Sequence, residues 1–321
     1  SVFVAEELSE VLNTKVVIGR INMGLLNRII IDDVLLDDQS GQEMLKVTRL
    51  SAKFDIMPFF KGKISISSVQ LFGFNINLRK ETPDSPPNFK FVLDAFASKD
   101  TVKKENSLDL RINSILIRRG RMSYHVLSEE ETPGKFNAKH IQLQNIIANI
   151  SLKALSKDSL NLGIKRLSLD EKASGFSLKK MSLKLVANNK QTNIDNFTIE
   201  LPETSLKLDT IHLEYDSLKA FDRFTEQVHF SFRTLPSQVT LKDISPFVPI
   251  LSHFKEPVTL DMEVKGTVDQ LTCSHLEITA DDRQFRLRGD VSLQDLSRPQ
   301  DAYVYGTLSE LSANTRGVGF L

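Results

Sequence analysis

Alternation of apolar and polar residues, repeated in segment after segment, is the feature that most constrains this sequence. It is clearest in residues 64–78, where Ile64-Ser-Ile66 and Phe74-Asn-Ile-Asn-Leu78 place an apolar side chain at every second position. Because side chains of an extended strand point alternately to its two faces, each such run gives one apolar and one polar face. More than a dozen alternating segments predict a mainly β protein with about half of its residues in strands, above the usual ~20–25%.

The boundaries of the individual elements follow from where the alternation stops. The first residues have helical spacing of apolar side chains, so we expect an N-terminal helix over residues 2–12. Strands are expected near residues 15–23, 28–36, 45–55, 63–79, 108–118, 121–127, 140–152, 160–170, 176–187, 193–201 and 204–215, with more beyond residue 254. Short helices are expected at residues 89–97, 216–227 and 243–254, the second with a serine at its start as N-cap.

A loose internal repeat predicts how the strands are arranged. Residues 64–78 align with residues 110–124, and each segment has a glycine where we expect one strand to pass to the next. Sequential strands joined by short links usually pair antiparallel with their neighbours. Such repetition predicts an elongated antiparallel sheet rather than a closed globule.

The apolar face of such a sheet has to be covered. In Val258-Thr-Leu-Asp-Met-Glu-Val264 four apolar residues share one face, and at ~25 cal/mol per Å² many such strands represent tens of kcal/mol of burial. A second sheet, the same sheet folded over, or an external apolar ligand would each provide it. A filled β-sandwich is the simplest of these, but alternation alone does not distinguish it from an open groove.

Candidate catalytic or metal-ligating residues are few, and we expect neither an enzyme nor a cofactor or metal. The six histidines are far apart in the sequence and lack metal-ligand spacing; they are His125, His140, His212, His229, His253 and His275. The acidic pairs Asp32-Asp33, Asp37-Asp38 and Asp281-Asp282 lack the spacing of a calcium loop, and turns between strands explain them. Forty-one basic residues balance forty-one acidic ones, so no net field selects nucleic acid.

One set of short motifs carries a family resemblance. The motifs are Gly19-Arg20, Asp37-Asp38, Leu45-x-Val-x-x-Leu50, Pro58-Phe-Phe-x-Gly62 and Val69-x-Leu-x-Gly73. This pattern resembles the N-terminal region of the AsmA/TamB superfamily, and within it the TamB branch most, with the resemblance strongest over residues 1–80. It implies a curved antiparallel sheet folded into a hydrophobic, taco-like groove with an N-terminal helix and a few short helices. We accordingly expect a family-like region at 1–80, a helical or loop insertion at 81–107, and a continuing, truncated β-groove at 108–321.

The resemblance also implies a function. It suggests the periplasmic part of an envelope-biogenesis protein of a diderm bacterium, anchored in the inner membrane by a segment missing from this fragment. Such a protein would bridge two membranes and passively conduct phospholipid acyl chains along its apolar groove. The alternative is a scaffold that assembles or secretes outer-membrane β-barrel proteins by strand templating. An outer-membrane barrel of the BamA/TamA kind would be a partner, through a region absent here.

The cleanest alternating segments supply the candidate lining of the groove. From the register, ten apolar residues should face its interior; they are Ile64, Ile66, Val69, Leu71, Ile76, Leu78, Val258, Leu260, Met262 and Val264. The alternation slips at Ser67-Ser68 and at Gly73. A bulge or turn at these positions must therefore re-aim the side chains.

Overall fold

Strands dominate the chain, as the alternation predicts. The computed structural model has 61% of residues in strands and 12% in helices, which confirms a mainly β, antiparallel fold with short helices, one of them N-terminal. It describes residues 2–25, 27–54, 64–97, 108–109, 113–155, 159–280, 284–298, 301–315 and 317. The Pro58-Phe-Phe-x-Gly62 motif and the Asp281-Asp282 pair lie outside these residues.

The first half of the chain contains two helices and seven strands. They are α1 (Val2–Leu12), β1 (Val16–Gly24), β2 (Arg28–Asp37), β3 (Glu43–Phe54), β4 (Ile64–Lys80), α2 (Lys90–Ala97), β5 (Leu108–Asp109), β6 (Ser114–Val126) and β7 (His140–Leu155). Most boundaries lie within two or three residues of the predicted ones. None of the described helices is long and apolar enough to cross a membrane.

The second half is built from shorter strands and 3-10 turns. The strands are β8 (Ser159–Glu171), β9 (Ser177–Asn188), β10 (Gln191–Glu200), β11 (Ser205–Lys207), β12 (Ile211–Glu214), β13 (His229–Arg233), β14 (Ser237–Val239), β15 (Val258–Thr267), β16 (Gln270–Ala280), β17 (Phe285–Gln294) and β18 (Tyr303–Ala313). Helical turns are Leu218–Arg223, α3 (Phe224–Gln227), Leu241–Ile244 and Pro249–His253. Ser217 precedes the first of these turns, but its side chain makes no capping hydrogen bond, so that predicted N-cap is wrong.

The chain divides into two compact units. The first contains residues 1–151 and 167–177, and the second contains residues 152–166 and 178–321. In the first unit, β1 to β4 pair antiparallel in sequence order and β6 pairs antiparallel with β7. The exceptions are the pairs of β4 with β5 and with β6, which are parallel and depart from the antiparallel arrangement expected for strands joined by short links. The reason is the long connection containing α2, since a parallel pair needs a crossover of a dozen or more residues.

Two predicted strand ends inside the repeat are also wrong. β4 continues through Gly73, and β6 continues through Gly120 rather than breaking into two strands. Gly73 has a φ of 64°, and Arg119 next to Gly120 has a φ of 55°. A left-handed residue can sit inside a strand as a bulge-like irregularity, so these positions kink the strand without ending it.

In the second unit the strands again pair antiparallel. β9 pairs with β10, and β10 pairs with both β11 and β12. β12 pairs with β13, and both β13 and β14 pair with β15. From β15 the strands follow sequence order to β18.

Candidate functional site: the apolar face of the sheet

Apolar side chains of six neighbouring strands in the first unit form continuous rows. Taken in the strand order β1, β2, β3, β4, β6 and β7, the Ile21 row is Ile21, Ile31, Leu50, Leu71, Ile117 and Ala148; the Met23 row is Met23, Ile29, Ala52, Val69, Ile115 and Ile150; and the Val16 row is Val16, Leu36, Leu45, Ile76, Met122 and Leu143. Residues directly opposite each other share a face and lie close enough to pack. Each row is therefore an unbroken apolar track across the unit.

A line of backbone irregularities separates the Ile21 row from the Val16 row. On five of the six strands, apolar residues are spaced by two on either side of this line but by three across it, as from Leu71 to Phe74 in β4; on β6, Gly120 takes the place of the apolar residue. Four strands have a residue with positive φ at this level; they are Asp33 (58°), Gly73 (64°), Arg119 (55°) and Asn145 (55°). Such a residue resets the alternation of side chains. We infer that the rows on both sides of the line share one face.

The Asp32-Asp33 pair lies on this line, inside β2, so its interpretation as a turn between strands is wrong. Asp32 is opposite Arg20 on β1 and Arg49 on β3. The Nε–H of Arg49 donates to Asp32 Oδ1 over 2.6 Å, and this hydrogen bond is the main cause that lowers the pKa of Asp32. Asp32 and Arg49 are therefore paired with each other across the two strands.

Apart from Leu36 and Ala148, the side chains of the apolar rows are not buried as a filled core would be. Ile66, Val69, Leu71, Ile76 and Leu78 are all half-buried. The side chain of Ile64 lies outside the described residues. A side chain between two packed sheets is normally almost fully buried, since protein interiors are close-packed. The half-exposure of these five residues favours an open apolar face over a filled sandwich.

The same β4 residues show which face is polar. Ile76 is opposite Leu45 and Met122, whereas its neighbour Asn75 is opposite Lys46 and Arg121. One face of the strand is therefore apolar and the other is polar and charged. Near the other end of β4, a register shift between Lys53 and Phe54, opposite Ser68 and Ile66, marks the second slip in the alternation.

In the second unit the predicted lining is partly covered. Val258 and Val264 are buried at 8% and 3% exposure, while Leu260 and Met262 are half-buried. Val258 packs in a small cluster with Ala280 and Phe285. Leu260 begins a row across β15 to β18, which is Leu260, Ile278, Leu287 and Leu311.

Met262 differs from the other predicted lining residues because it lies at a bulge. The pairing of β15 with β16 shifts between Asp261 and Glu263, opposite the left-handed residue His275 (φ 55°). The backbone of Met262 is held from the other side, where its N–H donates to Thr234 Oγ1 over 2.8 Å. This anchoring fixes the strand at the bulge.

A network of polar side chains surrounds Asp38 at the turn between β2 and β3. Asp38 is 2% exposed and accepts hydrogen bonds from four residues. The donors include the Ser40 hydroxyl (2.6 Å), the Gln42 backbone N–H (3.1 Å), the Arg79 guanidinium (2.7 Å) and the Asn88 side-chain amide (3.2 Å). Burial raises the pKa of Asp38, but these hydrogen bonds and the Arg79 charge outweigh it and leave the pKa below its usual value. A cavity of about 630 Å³ adjoins this network, lined also by residues of α1 and α2. The carboxylate is fully engaged, which identifies it as a structural anchor of the β2–β3 turn.

Two of the histidines that are far apart in the sequence lie next to each other in the structure. The register of β6 with β7 places His125 directly opposite His140. A carboxylate, Glu131, approaches both imidazoles. Spacing in the sequence did not reveal this group because a loop of about a dozen residues separates its members.

The comparisons with known proteins add no relative. No family model, no curated protein and no solved structure matches the chain.

Proposed function

We propose that the apolar sheet face binds phospholipid acyl chains and lets them pass between two membranes. The observation that carries this proposal is the continuity of the Ile21, Met23 and Val16 rows across six strands. A lipid track has to be unbroken, whereas a strand-templating surface tolerates polar gaps. The mechanism needs no catalytic residue.

The energetics support a passive track. Each methylene kept from water is worth ~0.8 kcal/mol, so an acyl chain loses little free energy while it moves along a continuous apolar surface. The apolar side chains of β4 are only half-buried, so part of their surface is free to contact another apolar molecule. A phospholipid acyl chain would cover that exposed surface.

The proposed setting follows from the resemblance to the AsmA/TamB superfamily. We place the chain in the periplasm of a diderm bacterium, as part of an inner-membrane-anchored protein of envelope biogenesis. In that setting the apolar face would cross the aqueous space between the membranes.

A second candidate function is strand templating for outer-membrane β-barrel proteins, and one observation favours it. Among the described strands β18 pairs only with β17, so its other edge presents unpaired backbone groups. Its side chains are exposed, with Val304 at 61% and Leu308 at 54%. An exposed apolar edge strand readily accepts an incoming strand.

The test of lipid conduction introduces a charge on the apolar face. Leu260→Asp and Met262→Arg place charges at two of the predicted lining positions of β15, where an unpaired charge costs several kcal/mol against an acyl chain. The matched control is Thr259→Asp, because exposed Thr259 points to the other face, opposite Gln238 and Thr279. We expect less phospholipid to copurify with the two variants, measured by mass spectrometry, and no loss with the control.

The same variants in the full-length protein should weaken the outer-membrane barrier of cells. If Leu260→Asp and Met262→Arg fold, bind phospholipid as before and leave the envelope intact, the lipid proposal fails. Strand templating would then be the better account, and charges introduced along the free edge of β18 should impair barrel assembly instead.

A further inference from the structure

Two histidines and a carboxylate meet where β6 ends and β7 begins. The Nδ1 atoms of His125 and His140 are 3.0 Å apart, and their ring centroids are 5.3 Å apart. Glu131 belongs to the loop that joins the two strands, and one ligand atom from each of the three residues lies within 4.8 Å of the others. We propose that His125, His140 and Glu131 form a binding site for a divalent transition-metal ion, with Zn²⁺ as the best fit.

The orientation of His140 is the first argument. Its Nε2 lies 2.9 Å from the backbone carbonyl oxygen of Glu129. A carbonyl oxygen only accepts, so Nε2 carries the hydrogen and donates it, and in the neutral ring Nδ1 keeps its lone pair. That lone pair is directed toward His125. Metal-ligating histidines are typically held in this way, with the second ring nitrogen donating to a carbonyl or carboxylate.

The geometry is the second argument. Two nitrogen ligands at ~2.0–2.1 Å from a tetrahedral Zn²⁺ are about 3.3 Å apart. The 3.0 Å between the two Nδ1 atoms is close to this separation. In this contact His125 Nδ1 carries the hydrogen, because His140 Nδ1 has none, so an ion binds when His125 takes the tautomer with its hydrogen on Nε2 and the rings rotate to direct both lone pairs at the ion. Glu131 is exposed, and its side chain can therefore adjust to complete the coordination.

The ligand types select the metal class. Imidazole nitrogens suit zinc, copper and nickel, whereas magnesium and calcium prefer all-oxygen sites. Three protein ligands leave a fourth position for water or for a group supplied by another molecule. The ion would join the ends of β6 and β7 to their connecting loop and so stabilise the hairpin.

Isothermal titration of the 321-residue chain with ZnCl₂ tests the proposal. We expect one Zn²⁺ per chain, a zinc-dependent rise in Tm, and no response to MgCl₂. His125→Ala should abolish both effects, and Glu131→Gln should weaken binding on the order of tenfold or more, as loss of an outer-shell partner already does. The matched control is His253→Ala, which removes an exposed histidine from the second unit and should change neither effect.

Three outcomes would overturn the proposal. They are no zinc binding by the unmodified chain, unchanged zinc binding in His125→Ala, and loss of zinc binding in His253→Ala. The first would show that the imidazoles only share a hydrogen bond, and the other two would place the zinc elsewhere. His125 and Glu131 are chosen because His140 is buried and its replacement could unfold the hairpin.

Discussion

The ring of Phe74 on β4 occupies the space that a side chain at Gly120 on β6 would need. A Cβ atom at Gly120 would overlap the ring atoms Cε1 and Cζ of Phe74 and would lie 3.0 Å from Cβ of Ile146 on β7. Phe74 itself is 8% exposed, one of the best-buried apolar residues in the first unit. The glycine thus lets an aromatic side chain bridge two parallel strands at the line of backbone irregularities.

Gly120→Ala should therefore lower the free energy of unfolding, because the added methyl group displaces the Phe74 ring. Overpacking of this kind typically costs about 1–3 kcal/mol. Urea unfolding of Gly120→Ala, Phe74→Leu and the double variant measures the coupling between the two residues. In the double variant the smaller leucine should recover part of the loss. Purely additive effects of the two changes would contradict the packing relationship.

Gly73 gives a second prediction, about the backbone at the same line. An alanine at Gly73 has to adopt a left-handed conformation, which costs about 1–2 kcal/mol, and its Cβ would lie 2.7 Å from Thr48 Oγ1. Gly41 also has a positive φ (78°) but no atom within 4 Å of such a Cβ, so it is the matched control. We expect Gly73→Ala to destabilise the protein more than Gly41→Ala.

The difference between the two alanine variants should come from Thr48. Adding Thr48→Ala to Gly73→Ala removes the crowding hydroxyl and should bring the loss of stability close to that of Gly41→Ala. Chemical denaturation followed by circular dichroism measures all three. Equal losses in Gly73→Ala and Gly41→Ala would show that crowding at Thr48 contributes nothing.

Asp38 predicts how stability depends on pH. Its folded-state pKa lies below the ordinary value of 3.8, so its ionised form contributes stability that is fully present above that value. This contribution is lost as the pH falls below 3.8 and through the lowered pKa of the folded state. Asp38→Asn should cost about 1–3 kcal/mol at pH 7, because Arg79 loses its carboxylate partner.

Urea unfolding at pH 7 and pH 3 tests this dependence. The free energy of unfolding should fall less between the two pH values in Asp38→Asn than in the unmodified chain. The control is Asp84→Asn, which removes an exposed carboxylate on the loop before α2, outside the hydrogen-bond network of Asp38. The same pH dependence in all three proteins would show that Asp38 does not contribute to the loss of stability at low pH.

Alternation in the sequence was sufficient to predict the strands, because period-2 patterning is a local property. The positions of β1 to β4 and the slips at Gly73 and Ser67 could be read from residue spacing alone. The spacing of three between Ile31 and Val34, and between Val47 and Leu50, is the signal that could have located the whole line of irregularities.

Pairing between distant strands was not predictable in the same way. The parallel pairing of β4 with β6 depends on how the connection containing α2 crosses the sheet, which no residue pattern within either strand specifies. His125 and His140 meet only because the register of β6 with β7 brings them opposite each other. Cross-strand relationships of this kind are set by tertiary structure, so the candidate metal group could not be recognised from spacing.

The proposed function requires that one face of the sheet contacts lipid and that the other does not. Ile76 and Asn75 are neighbours in β4, both half-buried, and they belong to the apolar and the charged face respectively. Replacing each in turn with the photo-crosslinking residue benzoylphenylalanine places the same reactive group on opposite faces at the same position along the strand.

The most direct measurement is irradiation of these two variants with phospholipid vesicles, followed by mass spectrometry of the protein. We expect a phospholipid adduct when the crosslinker is at position 76 and little or none when it is at position 75. Equal adducts at both positions, or an adduct at position 75 alone, would contradict a lipid track on the apolar face.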